Sequence, residues 1–175
     1  LPGSVTGPTT SGLTGVINAG TVTLGQATLG SFAANATIGA GALVELNTAA
    51  DIALNSAVVF SGDGAIRKSG AGTLTLSAAN SYSGATTIND GTLKLVDSAF
   101  STTARTYSIA SGAVLNLDGN TSFAGGNTTI SGDGTLRISG GQFTAGADGR
   151  DLVLAMGGGL IDLQSGAAMD NGGWQ

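Results

Sequence analysis

Two columns of residues run through the chain in step. An aliphatic column passes through Ile17, Ile38, Val59, Ile88, Ile109, Ile130 and Leu154, at steps of 21, 21, 29, 21, 21 and 24 residues. A glycine column follows it through Gly20, Gly41, Gly64, Gly91, Gly112, Gly134 and Gly159, at steps of 21, 23, 27, 21, 22 and 25. Self-similarity at such a period marks a solenoid, in which no unit can bury its apolar face except against its neighbours.

Within each unit the period is two. Thr73-Leu74-Thr75-Leu76, Thr92-Leu93-Lys94-Leu95 and Thr135-Leu136-Arg137-Ile138 alternate apolar with polar residues between Gly, Asn and Asp, which is strand patterning. About 21 residues accommodate three short strands and their bends, each strand lying beside its counterpart one coil later. The fold class is therefore all-β, a parallel β-helix of about seven coils with a period of 21–25 residues, with little place for helices. The rival is an antiparallel sandwich built on Asp-Gly turns, because Ser61-Gly62-Asp63-Gly64 recurs as Ser131-Gly132-Asp133-Gly134. That rival leaves unexplained the 21-residue step at Ala110-Ser111-Gly112, where no Asp-Gly stands. The long step from Val59 to Ile88 reads as an inserted strand or a bulged coil built from Ser69 to Asn80.

Composition narrows the function classes. The chain has 175 residues, one domain's worth, and its 41% hydrophobic content excludes a charge-solvated disordered polymer. Residues 1–12 read as a leader, 13–169 as a single β-helix domain and 170–175 as a frayed tail carrying the lone Trp174. With no Cys and no His, thiolate or imidazole metal sites, thiol nucleophiles and the Ser-His-Asp triad are all closed. Six scattered basic residues and a net charge of −5 argue against nucleic acid. No run reaches the ~18 apolar residues of a membrane helix.

The residues that remain as candidates have simpler readings. Asp63, Asp90, Asp118 and Asp133 are the material for a glycosidase carboxylate pair, but all stand beside Gly in turn contexts. A calcium reading is the weaker alternative, since the nonapeptide and EF-hand patterns are missing. Thr21-Val22-Thr23 and Thr73-Leu74-Thr75 resemble the Thr ladders of ice-binding solenoids, yet the matching positions hold Glu45, Arg67, Lys94, Asn116 and Arg137. Gly157-Gly158-Gly159 lacks the Lys-Ser/Thr of a phosphate loop and reads as a bend. Tyr82 and Tyr107 are candidates for stacking on sugar rings, against the simpler role of covering a coil edge. No catalytic, cofactor or metal residue is therefore assigned. The outward column places Glu45 beside Arg67 and Arg137 beside Asp162, predicting two inter-coil ion pairs.

Three segments follow one another within the run from Gly62 to Leu95: Lys68-Ser69-Gly70-Ala71-Gly72-Thr73-Leu74-Thr75-Leu76, Asn80-Ser81-Tyr82-Ser83-Gly84-Ala85-Thr86-Thr87-Ile88 and Gly91-Thr92-Leu93-Lys94-Leu95. With them the run resembles the autotransporter-associated β-strand repeat of bacterial type V secretion passenger domains. The match covers about a fifth of the chain in one copy; elsewhere it is one of style, as in Gly112 to Leu117. The resemblance implies a right-handed β-helix from a larger Gram-negative chain, secreted or displayed at the cell surface, whose membrane β-barrel is absent from this sequence. It implies a structural or adhesive segment that supports export and spaces or presents a binding region. The alternatives are a glycan-active lyase or hydrolase and a module binding a host glycan or protein; self-association between passengers is a further expectation.

Overall fold

The computed structural model describes residues 15–97, 105–122, 127–144 and 152–170. The first pass of the chain forms β1 (Gly15–Ile17), β2 (Gly20–Leu24) and one helical turn, α1 (Gln26–Leu29). The next two passes form β3 (Ala36–Ile38), β4 (Ala42–Asn47) and β5 (Ile52–Ala53), then β6 (Phe60–Gly62), β7 (Ala65–Ser69) and β8 (Thr73–Leu76). The fourth has β9 (Thr86–Ile88) and β10 (Thr92–Val96), and the fifth β11 (Arg105–Ile109), β12 (Val114–Asp118) and β13 (Thr121–Ser122). The sixth has β14 (Thr128–Gly132), β15 (Thr135–Ile138) and β16 (Gly141–Thr144), and the seventh β17 (Leu152–Ala155), β18 (Leu160–Leu163) and β19 (Ala167–Asp170).

Each strand pairs in parallel with its counterpart one pass away, and the result is a parallel β-solenoid. A first sheet of seven strands runs β2-β4-β7-β9-β11-β14-β17, and a second of six runs β5-β8-β10-β12-β15-β18. Two three-stranded sheets complete the remaining side: β1-β3-β6 among the early coils and β13-β16-β19 among the late ones. Seven passes through the first sheet enclose about six full turns, close to the expected seven coils. The described pairings are all parallel, which removes the antiparallel sandwich.

Alternation sets what faces inward. In the second sheet Leu74, Leu93, Leu115 and Leu136 are direct partners coil after coil, and all four are fully buried. Each such side chain contributes about 1.5–3 kcal/mol through the water it leaves. Thr73, Thr92 and Thr135 precede them on the outer face, where a β-branched residue suits the pleat. At the early end α1 buries Leu29 and leads to Phe32, whose ring stacks on Phe60 at 6.1 Å between centroids.

The apparent insertion between Val59 and Ile88 does not exist. In the first sheet the register column runs Val22, Val44, Ile66, Thr86, Tyr107, Ile130 and Leu154, so every step lies between 20 and 24 residues. The segment read as an extra strand contains β8, an ordinary member of the second sheet. The aliphatic column of the sequence changes sheets: Ile17 and Ile38 belong to the β1-β3-β6 sheet, whereas Ile88, Ile109, Ile130 and Leu154 belong to the first.

The reason is that one local phrase serves two corners. Ile38 faces Gly62 where the chain turns from the β6 side into β7, and Ile109 faces Gly132 where it turns from β14 into β15. Both glycines have positive φ, +93° and +119°, and a Cβ on either would meet the carbonyl oxygen of the facing isoleucine. Those oxygens accept from Gly64 N–H and Gly134 N–H respectively. Only glycine allows this approach.

Candidate functional site

The four carboxylates are all engaged in holding the solenoid. Asp63 Oδ1 accepts from Ser83 Oγ at 2.8 Å, and Asp133 Oδ1 accepts from Gly158 N–H at 2.9 Å, each in the following coil. Asp90 Oδ1 accepts from the adjacent Gly91 N–H at 2.8 Å, within the bend. Asp118 pairs with Lys94 at 2.6 Å. The contact from Gly158 also gives the Gly157 to Gly159 run a role in a bend.

The carboxylate at Asp133 belongs to a recurring device. Side-chain oxygens of Gln26, Asn35, Asp51, Asp97 and Asn120 accept from the backbone N–H of Ala50, Val59, Thr73, Asn120 and Gln142, 22–24 residues on. Backbone donors at the bends and at the starts of strands such as β8 and β16 lack ladder partners, and these side chains satisfy them.

Tyr82 and Tyr107 are inside the coil. They are 2% and 0% exposed, so no sugar ring can stack on them. Tyr82 Oη bonds Thr86 Oγ1 at 2.6 Å, and the Arg105 guanidinium lies over the Tyr82 ring at 4.9 Å. Arg105 Nη2 donates to the Asn80 carbonyl at 2.7 Å, while Asn80 Oδ1 accepts from Phe60 N–H and its amide donates to Ala78 O. Burial pushes both phenols above their ordinary range, so they stay neutral hydrogen-bonding groups. This polar interior ties the last strand of the β1-β3-β6 sheet, through Phe60, to the coils beyond it.

A second interior polar group is Lys68. It stands in the column Leu24, Leu46, Lys68, Ile88, Ile109 and is fully buried. Its Nζ donates to the carbonyls of Ser69 at 3.0 Å, Gly70 at 2.6 Å and Asp90 at 3.1 Å.

Charged side chains stand on the outer faces of both long sheets. Arg137 and Asp162 are register partners and form the expected ion pair at 2.8 Å. Glu45 and Arg67 are also partners on one face, but the Glu45 carboxylate is taken by hydroxyls, from Ser69 at 2.8 Å and Thr23 at 3.4 Å. Arg67 and Lys94 are not successive members of one column: Arg67 faces Thr87 in the first sheet and Lys94 faces Thr75 in the second. The pair that the sequence reading missed is Lys94 with Asp118, reached diagonally past the register partner Asn116. Ser139 Oγ ties the Asp118 and Asn116 side chains together. The lysine and arginine beside them hold the Asp118 and Asp162 carboxyls below the usual carboxylate range. The two Thr-x-Thr runs lie on different sheets and form no common ladder.

Among the described residues no group of three or more acidic side chains is placed to hold a metal ion. What the structure gathers is an interior polar framework and a salt-bridged outer face. The residues 171–175, with Trp174, and the leader 1–12 lie outside the described residues.

Comparison with family models finds the passenger-associated-transport-repeat twice, at residues 66–95 and 112–138. The first match is the run whose resemblance is carried by Lys68 to Leu95; the second contains the Gly112 to Leu117 phrase. No curated protein and no solved structure matches the chain. The chain thus carries two repeats of the kind found in autotransporter passengers, set on a β-solenoid. They end alike, in Gly91-Thr92-Leu93-Lys94-Leu95 and Gly134-Thr135-Leu136-Arg137-Ile138, and each closing strand presents an outward base ion-paired to the next coil.

Proposed function

We propose that this chain is a non-catalytic, structural segment of a bacterial surface passenger, one that supports export by folding outside the cell and spaces or presents a binding region. The observation that supports it is where the first repeat spends its signature residues. Lys68, Leu74, Leu76, Asn80, Tyr82, Thr86, Ile88, Leu93 and Leu95 are all buried. Gly70 and Gly91 turn at positive φ, and Gly72 and Gly84 pass so close to the preceding coil that no Cβ fits. A motif whose members are consumed by packing and bends specifies a folded coil rather than a ligand. Stacked coils are stabilised by nearest neighbours, so a well-specified coil is where stacking starts most readily.

The register supplies a matched test in the full-length passenger. Deleting residues 66–85 removes one coil in phase, because Ile66 and Thr86 are partners; deleting 44–65 removes the preceding coil in phase, because Val44 and Ile66 are partners. The first deletion is expected to slow surface appearance and leave the passenger protease-sensitive, while the second shortens the solenoid with much smaller effect. Equal export and protease resistance in the two would overturn the assignment of a transport role to the repeat.

A further inference from the structure

The first sheet contains steps of 20, 21, 22, 23 and 24 residues between register partners. The bends therefore absorb differences of two residues and more. Coil length alone does not fix how one coil sits on the next. Nor does the apolar pattern, because a slip of two residues keeps every inward side chain inward. Leu46, Ile88 and Ile109 are aliphatics of similar size and tolerate one another in any such arrangement.

Lys68 does not. Its three ammonium protons go to three carbonyls, two in its own bend (Ser69 and Gly70) and one, Asp90, in the following coil. An ammonium has three donors and no acceptor, so this set uses all of them. A slip of the fourth coil by two residues either way takes the Asp90 carbonyl away and leaves a buried charge short of a partner, among the most costly defects a core can hold. The surroundings allow no easy substitute: at Gly91 a Cβ would meet Gly70 O and Gly72 O, each at 2.5 Å, so the stacked bends are already in close contact. Burial pulls the Lys68 pKa below its ordinary value, with the Asp90 and Asp51 carboxylates opposing the shift.

We infer that Lys68 is a register pin: a buried ammonium that forbids two-residue slips between the third and fourth coils, in a column where an aliphatic residue would pack as well but select nothing. Buried polar groups have this use elsewhere, at some cost in stability.

The chain contains no cysteine, so introduced pairs report register directly. Arg67 and Thr87 are outward partners; Ala85 and Asn89 lie two residues to either side of Thr87. Disulfides need Cα atoms within about 7 Å, which partner positions satisfy and slipped positions do not. With Lys68 present, Arg67→Cys/Thr87→Cys is expected to cross-link during refolding, and the pairs with Ala85→Cys or Asn89→Cys to stay reduced. In Lys68→Ile and Lys68→Met, the slipped pairs are expected to cross-link at least tenfold more than in the parent. In-register cross-linking only, in a folded Lys68→Ile or Lys68→Met protein, would refute the pin. Loss of the β-sheet signal in both variants would overturn it as well, by making Lys68 a stabilising residue and not a selecting one.

Discussion

Gly132 and Gly112 both stand at positive φ and differ in how closely the preceding coil approaches them. Both have positive φ, +119° and +83°. An ideal Cβ on Gly112 meets no atom within 4 Å, whereas on Gly132 it runs into the Ile109 backbone of the preceding coil. Alanine at 112 therefore costs about 1–2 kcal/mol for the left-handed conformation, partly offset by the stiffer unfolded chain. At 132, where φ lies further from the left-handed region, the conformational penalty is at least as large, and the β14 corner must also move off Ile109, costing about 1–3 kcal/mol. The Ile109 carbonyl also accepts from Asp133 and Gly134 N–H, and loosening those two bonds adds about 1 kcal/mol each. Gly132→Ala should thus lose roughly 3–6 kcal/mol against about 1 for Gly112→Ala. With a urea slope of about 2 kcal/mol/M, the midpoint followed by far-UV circular dichroism should fall by about 1.5–3 M in the first and by about 0.5 M in the second. Equal shifts would refute the argument that inter-coil contact, and not φ alone, requires glycine at this corner.

Two further outcomes test the faces and the charges. Ile109→Asp places an unpaired carboxylate among fully buried neighbours and should cost about 3 kcal/mol or more, whereas Thr129→Asp on the outer face of β14 should cost under about 1, measured by thermal melting. Lys94 holds the Asp118 carboxyl below its ordinary 3.8, so this group's contribution is present above that value and is lost as pH falls through the folded-state pKa. Asp118→Asn should therefore differ from the parent by about 0–1 kcal/mol at neutral pH, and the difference should shrink as pH falls below 3.8 and the carboxyl takes up its proton; a difference independent of pH would exclude the ion pair as its source.

The alternation of Thr73 to Leu76 and of Thr92 to Leu95 made the strands and their faces legible, because period two is a property of the backbone and survives in any parallel coil. The sheet to which each strand belongs was not legible. Ser-Gly-Asp-Gly looks the same at residues 61–64 and 131–134, yet it turns different corners, since the facing isoleucine and its carbonyl make the same local demand at both. Lys68 shows another limit: alternation with Ile66 and Arg67 points it inward, while the chemistry of lysine points it out, and only the three carbonyls settle the conflict. Tyr82 and Tyr107 carried no signal of burial for the same reason, their partners Thr86, Asn80 and Arg105 being distant or unremarkable in sequence. The ion pair of Arg137 with Asp162 was legible because it is a direct register pair; that of Lys94 with Asp118 was not, because it is diagonal.

The 20–24 residues that separate register partners in the first sheet also say what kind of rod this is. Adjacent strands stand about 4.8 Å apart, so each coil lengthens the molecule by that amount, or roughly 0.2 Å for every residue. A helix advances about 1.5 Å per residue and an extended strand about 3.3 Å. Seven passes therefore reach only about 30 Å. In exchange the cross-section is dense, its bends are stitched by side chains such as Asn35 and Asp133, and no coil is joined to the next by chain connectivity alone. A load along the axis is shared by several parallel ladders at once, so a solenoid of this design converts a long gene into a short but stiff strut, whose reach is set by counting coils.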